Sequence, residues 1–221
     1  MGTCGELGLL GTSAVFLDRD GIINELVYFP DQGIVDSPFT PEQFRLTSFA
    51  SQAVNRFHDL GLKVIVISNQ PGLAKGHFDD RTFDSIRLRM HEALRKENAY
   101  LDGEYYCLHH PNGIREEYRI VCDCRKPKPG LIIRAAKDHA ISLSESFFIG
   151  DGIVDVKAGH EAGCKTIIVA PANGLLLKLL EEDGTEPDYM VRTLEEATSI
   201  IEERTKRDRV SRSTVSARFQ K

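Results

Sequence analysis

Short apolar runs alternate with stretches of helical periodicity along most of this 221-residue chain. Each run spans four or five residues, a length typical of strands that are buried on both faces of a sheet. The runs occur at 14–17, 63–67, 147–150 and 166–170. The helical stretches occur at 44–60, 79–97, 129–140, 155–162, 175–180 and 194–201. This alternation predicts an α/β fold with a Rossmann-like, doubly wound and mostly parallel sheet.

A long connection follows the first predicted strand. Residues 19–43 are polar and contain Pro30, Gly33, Pro38 and Pro41, residue types that favour turns. We expect this segment to be a loop that shapes a substrate site. No stretch has the length and pattern of a cap domain, so the sequence predicts a single capless domain at residues 1–203.

Charge divides the chain into an acidic body and a basic end. The formal net charge is −5, and residues 204–221 carry +6, which leaves −11 on residues 1–203. An acidic body disfavours nucleic acid as a partner. The basic end is rich in Ser and Thr without an apolar face, so a flexible tail is expected. No run approaches the ~18 apolar residues of a membrane span, so a cytoplasmic protein without membrane contact is expected. We also expect the protein to be monomeric.

Three carboxylates stand at the ends of predicted strands. Asp18 and Asp20 follow the first strand, and Asp151 follows the strand at 147–150. Carboxyl ends of parallel strands form the ligand crevice of such sheets, and strand alternation would place Asp18 and Asp20 on one face with Arg19 opposite. Asp18 can attack phosphorus while Asp20 exchanges the proton of the leaving group and of water. The three carboxylates together predict a Mg²⁺ site.

Further polar residues follow the other strands. Ser68 and Asn69 come after the strand at 63–67 and offer donors to a phosphoryl group, although a turn and helix cap would use the same residues. Lys126 would add a fixed positive charge. Asp155 begins a predicted helix, where it either holds a metal-bound water or favours the helix N-terminus.

Three of the five cysteines crowd into residues 107–124 beside histidines. In a reducing compartment this grouping indicates a metal site rather than disulfides. Cys107, Cys122, Cys124 and one imidazole form the donor set of a closed, structural zinc site, and either His109 or His110 could supply the imidazole. A cluster of buried thiols is the alternative. Zinc here would fix the backbone that leads directly into residues 125–126.

The ordered set of Asp18, Asp20, Ser68, Lys126 and Asp151 resembles the four motifs of the haloacid dehalogenase superfamily of phosphatases. The resemblance covers most of the chain. It implies a Rossmann-like fold, dependence on Mg²⁺, a phosphoric monoester hydrolase activity and an aspartyl-phosphate intermediate, in agreement with the chemistry expected from the residues themselves.

The loop at 107–124 and the segment at 68–76 are similar to one branch of this superfamily, the heptose bisphosphate and histidinol-phosphate phosphatases. This resemblance implies that Cys107, His109, Cys122 and Cys124 bind zinc. It also implies substrate contacts by Ser68, Asn69, Gln70, Pro71 and Arg125, and stabilisation of the transferred phosphoryl group by Lys126.

The reaction expected from this resemblance is removal of the 7-phosphate from a D-glycero-D-manno-heptose 1,7-bisphosphate, a small phosphorylated sugar. Histidinol phosphate or another small sugar phosphate is the alternative substrate. Lys75 and Arg125 favour a bisphosphate because they add positive charge. A binding module that has lost its chemistry would lack a catalytic group, and all are present. An enzyme that processes nucleic-acid ends would need a basic groove, which the acidic body does not predict.

Overall fold

Six parallel strands form the central sheet of the computed structural model, which describes residues 11–170 and 174–218. The strands are β1 (Ala14–Leu17), β2 (Val27–Phe29), β3 (Ile34–Asp36), β4 (Lys63–Asn69), β5 (Gly103–Cys107), β6 (Phe147–Gly150), β7 (Lys165–Val169) and β8 (Tyr189–Val191). The helices are α1 (Ala50–Asp59), α2 (Asp80–Arg95), α3 (Gly130–Asp138), α4 (Ile153–Ala162), α5 (Gly174–Asp183) and α6 (Leu194–Arg218). Strands β2 and β3 form a separate antiparallel hairpin.

The strand order of the main sheet is β5-β4-β1-β6-β7-β8. The chain first winds outward from β1 to β5 and then crosses back to build the other half from β6 to β8. Leu17 at the end of β1 is in register with Val66 of β4 and Ile149 of β6. The predicted doubly wound sheet is therefore confirmed, and its topological switch point lies at the carboxyl end of β1.

Alternate residues of the central strands enter two different cores. Val15 and Leu17 of β1 pack with helices α1, α2 and α6 on one face of the sheet. Ala14 and Phe16 face α3 and α4 on the other. All four β1 side chains are buried, because helices cover both faces of the sheet.

Helix α1 begins at Ala50, six residues later than predicted. The preceding segment pairs its backbone with the chain that follows β1: the Glu25 amide donates to the Arg45 carbonyl, and the Thr47 amide donates to the Ile23 carbonyl. These bonds satisfy the backbone in an extended conformation, so the helical periodicity there is overridden. The predicted end is correct, since Gly61 adopts a φ of +69° just after the helix.

The predicted loop after β1 contains the β2–β3 hairpin. Its strands are only three residues long, too short for an alternating pattern to reveal them. The ring of Phe29 stacks on Phe39 at 4.2 Å between centroids, and Phe39 stacks on His77 at 4.3 Å. The hairpin therefore packs against the segment that follows β4, at the edge of the sheet where the predicted site lies.

Strands β5 and β8, at the two edges of the sheet, were also not predicted. The middle of β5 is polar, Glu104-Tyr105-Tyr106, and each of its residues before Cys107 is only partly buried. An edge strand with one covered side does not need a continuous apolar run.

Helix α6 passes through the predicted boundary at residue 203 and ends at Arg218. Arg204 Nε donates to the Tyr189 hydroxyl at 2.6 Å, and Arg209 donates to the Leu60 carbonyl. The basic segment is thus helical as far as residue 218, and Arg204 and Arg209 attach its first part to the body of the protein by these polar contacts. Residues 1–10 and 219–221 of the predicted regions lie outside the described residues. Among the described helices, none combines the length and hydrophobicity that a bilayer crossing requires.

A partly buried polar cluster joins the start of β4 to the chain entering β5. Asp102 accepts hydrogen bonds from the Val64 amide at 2.8 Å and from His58 Nε2 at 3.0 Å, and Lys63 Nζ lies 3.4 Å away. Burial opposes ionisation, but these donors outweigh it and hold the pKa of Asp102 below its ordinary value. The carboxylate therefore stabilises the fold above its unfolded pKa of about 3.9, and this stability is lost as pH falls through the lower folded pKa.

We expect Asp102→Asn to lower the free energy of unfolding by about 2 kcal/mol at pH 7, because charge-assisted hydrogen bonds to Val64 and His58 are lost. The difference from the unaltered protein should shrink below about pH 4. Urea titrations at both pH values test this, with the exposed Asp59→Asn as the control. A difference that does not depend on pH would contradict the role of the Asp102 charge.

Candidate active site

The topological switch point gathers the sequence-predicted residues. Asp18 follows β1, Ser68 lies near the end of β4, and Asp151 follows β6. These three strands are neighbours in the sheet. The strand register therefore brings the three motifs to one crevice at the carboxyl edge.

A group of carboxylates forms the floor of this crevice. One oxygen from each of Asp18, Asp151 and Asp155 lies within 4.8 Å of the others. Burial and the nearby charge of Asp18 raise the pKa of Asp151 to about 8. Burial, with the charges of Asp155 and Asp20, also raises the pKa of Asp18 to about 6 although Lys126 opposes the shift. The floor thus carries more negative charge than its protein partners balance.

This donor set fits a hard divalent cation. Carboxylate oxygens are the ligands that Mg²⁺ prefers, and the cation would offset the charge that raises the two pKa values. Asp20, predicted as a third ligand, is not in the carboxylate group, and Asp155 is present instead. Asp155 Oδ2 accepts the Gly152 amide at 3.0 Å at the start of α4, so the predicted role at a helix N-terminus is observed.

Two glycines permit the close approach of these carboxylates. Gly21 has a φ of +80°, and a Cβ atom there would lie 2.0 Å from Asp151 Oδ2. A Cβ atom on Gly150 would lie 2.3 Å from Asp155 Cβ. Each position therefore requires glycine for space, and Gly21 requires it for its backbone conformation as well.

Lys126 is the cation of the floor and is 3% exposed. Its Nζ lies 2.9 Å from Asp18 Oδ1 and 2.6 Å from Asp155 Oδ1, and it donates to the Ile67 carbonyl at 3.0 Å. Burial acts to lower the pKa of Lys126, but the two carboxylates outweigh burial and raise it. The ammonium group therefore stays charged, and its nitrogen lies within 3.0 Å of three acceptor oxygens.

Asn69 fixes the backbone of Lys126. Its Oδ1 accepts the Lys126 amide at 3.0 Å, and its Nδ2 donates to the Lys126 carbonyl at 3.0 Å. This two-point contact joins the end of β4 to the loop that carries the lysine. The contact of Asn69 with substrate stays a prediction, and in the structure the Asn69 amide pairs with the Lys126 backbone.

Asp20 lies beside the floor in a different environment. Since β1 ends at Leu17, strand alternation does not extend to Asp20, and Arg19 does not point away from it as predicted. Arg19 is fully buried and contacts both Asp20 oxygens, which are also bonded by Asn24 and Gln70. Asn24 was missed because a single polar residue after two isoleucines gives no signal of its role.

The other predicted substrate residues lie in three different surroundings. Gln70 is 0% exposed, so its side chain is not at the surface. Arg125 donates to the His109 carbonyl at 3.3 Å and lines a cavity of 240 Å³ together with Lys126 and Lys128. Pro71 begins the turn after β4, where its carbonyl accepts the Lys75 amide at 2.8 Å.

The predicted zinc ligands converge beyond β5. Cys122 Sγ lies 3.5 Å from Cys107 Sγ and 3.1 Å from Cys124 Sγ, and His109 Nδ1 lies 3.4 Å from Cys124 Sγ. Ligand atoms of tetrahedral zinc are about 3.5–3.8 Å apart, given bond lengths of about 2.0–2.3 Å. All three thiols are free. The donor set and its spacing fit a structural zinc ion.

The choice between the two histidines follows from their contacts. His110 Nδ1 accepts the Asn112 amide at 3.1 Å, whereas His109 faces the thiols. His109 is therefore the imidazole of the cluster. Cys124 precedes Arg125 and Lys126 directly, so the cluster anchors the loop that carries the buried lysine.

Comparison with known proteins agrees with this geometry. Residues 123–197 match a family model described as HAD-hydrolase-like. The D-glycero-beta-D-manno-heptose-1,7-bisphosphate 7-phosphatase of Salmonella typhi is 33% identical over 193 residues, which are 87% of this chain and 97% of that protein. The enzyme of the same name from Escherichia coli (strain K12) is 36% identical over 71% of this chain and 78% of its own.

A solved structure is similar over nearly the whole fold. The D,D-heptose 1,7-bisphosphate phosphatase of B. bronchiseptica, complexed with magnesium and phosphate, superposes with a TM-score of 0.72 at 27% identity, covering 87% of this chain and 99% of that one. Together with relatives above 30% identity over 78–97% of their length, this similarity shows the family: the chain belongs to the haloacid dehalogenase-like phosphatases.

Proposed function

We propose that this protein is a Mg²⁺-dependent phosphatase that removes the 7-phosphate of D-glycero-beta-D-manno-heptose 1,7-bisphosphate. The observation that carries the proposal is the buried group of Asp18, Asp151 and Lys126 at the switch point of the sheet. It occurs in a chain that is 33–36% identical to enzymes named for this reaction.

The two motif aspartates divide the chemistry. A carboxylate oxygen of Asp18 attacks phosphorus, and the bond from phosphorus to the sugar oxygen breaks as Asp20 donates a proton to that oxygen. Water then attacks the phosphorus of the aspartyl-phosphate and gives a proton to Asp20. The bond to Asp18 breaks, inorganic phosphate leaves, and both carboxyl groups return to their first state.

Asp18 and Asp151 are the residues that would hold Mg²⁺. When bound, the cation neutralises charge on the phosphate and the two carboxylates and polarises the phosphoryl oxygens. The side chain of Asp20 is engaged by Arg19 and Gln70, so we assign Asp20 to proton transfer. Lys126 contributes a positive charge that is already oriented and requires no rearrangement during reaction.

Positive charge around the crevice favours a substrate with a second phosphate. Arg125 and Lys128 line the 240 Å³ cavity beside Lys126. Burial, followed by the charges of Arg125 and Lys75, lowers the pKa of His110, so both cations lie near His110. They would attract a bisphosphate and repel the ammonium group of histidinol phosphate. This charge pattern supports the heptose bisphosphate over the alternative substrate.

A structural zinc ion held by Cys107, His109, Cys122 and Cys124 completes the proposal. Zinc would close the loop at 107–124 and fix the start of the segment that carries Lys126. Asn69 fixes the same segment from β4. The position of the Lys126 ammonium group would thus depend on two independent attachments of its backbone, one to zinc and one to Asn69.

Phosphate release from a panel of substrates tests the activity. We expect kcat/KM with Mg²⁺ to favour the beta-heptose 1,7-bisphosphate over its alpha anomer and over histidinol phosphate by at least about 10²-fold. Asp18→Asn should lower turnover by at least about 10³-fold, because the nucleophile is lost. A preference for histidinol phosphate would contradict the substrate assignment but leave the roles of the aspartates intact. Turnover by Asp18→Asn at the normal rate would contradict the mechanism.

Asn69→Ala separates a positioning role from a substrate contact. Loss of both hydrogen bonds to the Lys126 backbone should lower kcat by about 10-fold or more, with KM little changed, because Lys126 stabilises charge in the transition state. Steady-state kinetics measure the two constants. Asn55→Ala removes an exposed amide that bonds the Glu97 carbonyl and serves as the control. A rise in KM at constant kcat would instead assign Asn69 to substrate binding.

Metal analysis tests the cysteine cluster. The purified protein should contain about one zinc ion per chain, and Cys124→Ser should release it and lower Tm by more than about 5 °C, because a structural zinc site contributes folding energy. Cys164→Ala, which alters a buried thiol outside the cluster, should retain the zinc. Full zinc content in Cys124→Ser would contradict the proposed ligand set.

A further inference from the structure

Three fully buried polar side chains surround Asp20. Arg19, Asn24 and Gln70 are each 0% exposed. Burying a guanidinium group and two amides is costly unless their hydrogen bonds are satisfied and serve the structure or the chemistry. The side chain of Gln70 is enclosed, so the substrate contact implied for it by resemblance does not explain its burial.

The two carboxylate oxygens of Asp20 accept different sets of hydrogen bonds from these three side chains. Oδ1 accepts three hydrogen bonds, from Arg19 Nε at 3.2 Å, Arg19 Nη2 at 3.0 Å and Asn24 Nδ2 at 3.0 Å. Oδ2 accepts one from Gln70 Nε2 at 2.5 Å and a longer one, 3.2 Å, from Arg19 Nη2. A carboxylate oxygen has two lone pairs. Oδ1 therefore has no lone pair free. Oδ2 accepts one close hydrogen bond, from Gln70, and its second lone pair has only the longer contact with Arg19 Nη2, which that nitrogen shares with Oδ1 and which a proton can replace.

Gln70 and Arg19 are also hydrogen-bonded to each other. Arg19 Nη2 donates to Gln70 Oε1 at 2.8 Å, so the guanidinium group, the amide and the carboxylate form a closed ring of contacts. Gln70 Nε2 donates in addition to Ser68 Oγ at 3.1 Å. Through Ser68, the ring is attached to β4, and its geometry is set by the sheet rather than by the exposed surface.

A second layer supports the guanidinium group from β5. The Arg19 guanidinium carbon lies 6.0 Å from the centre of the Tyr106 ring, within the range of a cation–π contact. The Tyr106 hydroxyl donates to Glu104 Oε2 at 2.9 Å, and Glu104 pairs with Arg87. The orientation of Arg19 is therefore fixed on both sides.

From this arrangement we infer that Arg19 and Gln70 are positioning residues that aim Oδ2 of Asp20 at the leaving-group oxygen. The inference rests on the proposed phosphatase function and names the atom that carries the proton. In the first step, Oδ2 gives its proton to the oxygen released from phosphorus. In the second step, Oδ2 takes a proton from the attacking water.

Protonation of the leaving group matters only where that group is a poor one. A sugar alkoxide needs the proton, whereas dinitrophenolate leaves readily without it. A displaced Asp20 therefore slows the transfer of phosphate from a sugar and leaves transfer from a dinitrophenyl ester nearly intact. General disturbance of the site slows both substrates equally.

The decisive variant is Gln70→Met, which keeps the volume of the side chain and removes its amide. For the heptose bisphosphate we expect kcat/KM to fall about 10²-fold or more, and for 2,4-dinitrophenyl phosphate less than about 3-fold. Asp20→Asn should show the same difference between the two substrates, and its loss of kcat/KM on the heptose bisphosphate should be the largest of the series. Arg19→Lys cannot make the two-point contact with Asp20. Its kcat/KM for the heptose bisphosphate should therefore lie between those of the unaltered protein and Asp20→Asn.

Two controls separate the inference from the function on which it rests. Ile86→Val alters a fully buried core side chain in α2 and should leave the ratio of the two kcat/KM values unchanged. An equal loss on both substrates in Gln70→Met, and in the milder Gln70→Asn, would overturn the positioning role and leave the phosphatase function standing. Absence of turnover of both substrates by the unaltered protein would overturn the proposed function and the inference with it.

Discussion

The site depends on one electrostatic constraint, which is the placement of several carboxylates around a single buried ammonium group. Lys126 contacts Asp18 and Asp155 directly, while Asp151 lies within the same group. One positive charge does not balance this set, and the raised pKa values of Asp18 and Asp151 express the excess. A divalent cation would offset this excess of negative charge. It would also give a phosphate dianion a positive partner at a floor whose carboxylates would otherwise repel the dianion.

Because this charge balance depends on where Lys126 lies, the architecture around the lysine is unusually redundant. The lysine sits in a loop, which a sheet alone does not position. Asn69 bonds its backbone from β4, and the cysteine cluster anchors the residues immediately before it. The backbone of a loop lysine is thereby tied to the end of a strand. This arrangement meets the requirement for catalytic groups to be oriented before the reaction begins.

The sequence predicts the parts of this arrangement that follow from strand order. It does not predict the side-chain burial and helix bounds that depend on contacts between distant segments. Apolar runs place Asp18 and Asp151 at neighbouring strand ends, because the register of a parallel sheet leaves few alternatives. The burial of Arg19 and Gln70 has no such signal, since a polar residue after a strand is equally typical of a turn. Periodicity likewise extends α1 back to residue 44, where backbone pairing to the segment after β1 prevails. The three-residue strands β2, β3 and β8 are too short to show any period.

The two motif aspartates illustrate how environment assigns chemical roles to identical groups. Asp18 faces other carboxylates and Lys126, an environment suited to a nucleophile beside a cation. Asp20 is enclosed by the donors of Arg19 and Gln70, which leave one oxygen to exchange protons. Arg19 and Gln70 are fully buried, whereas Arg125 and Lys128 line a cavity formed by the loop that carries Lys126. The groups that would carry out the reaction are therefore fixed by the interior, and those proposed to recognise the sugar belong to a loop. The interior is bound to strand ends that sequence patterns reveal, so the type of chemistry is more predictable from sequence than the identity of the sugar.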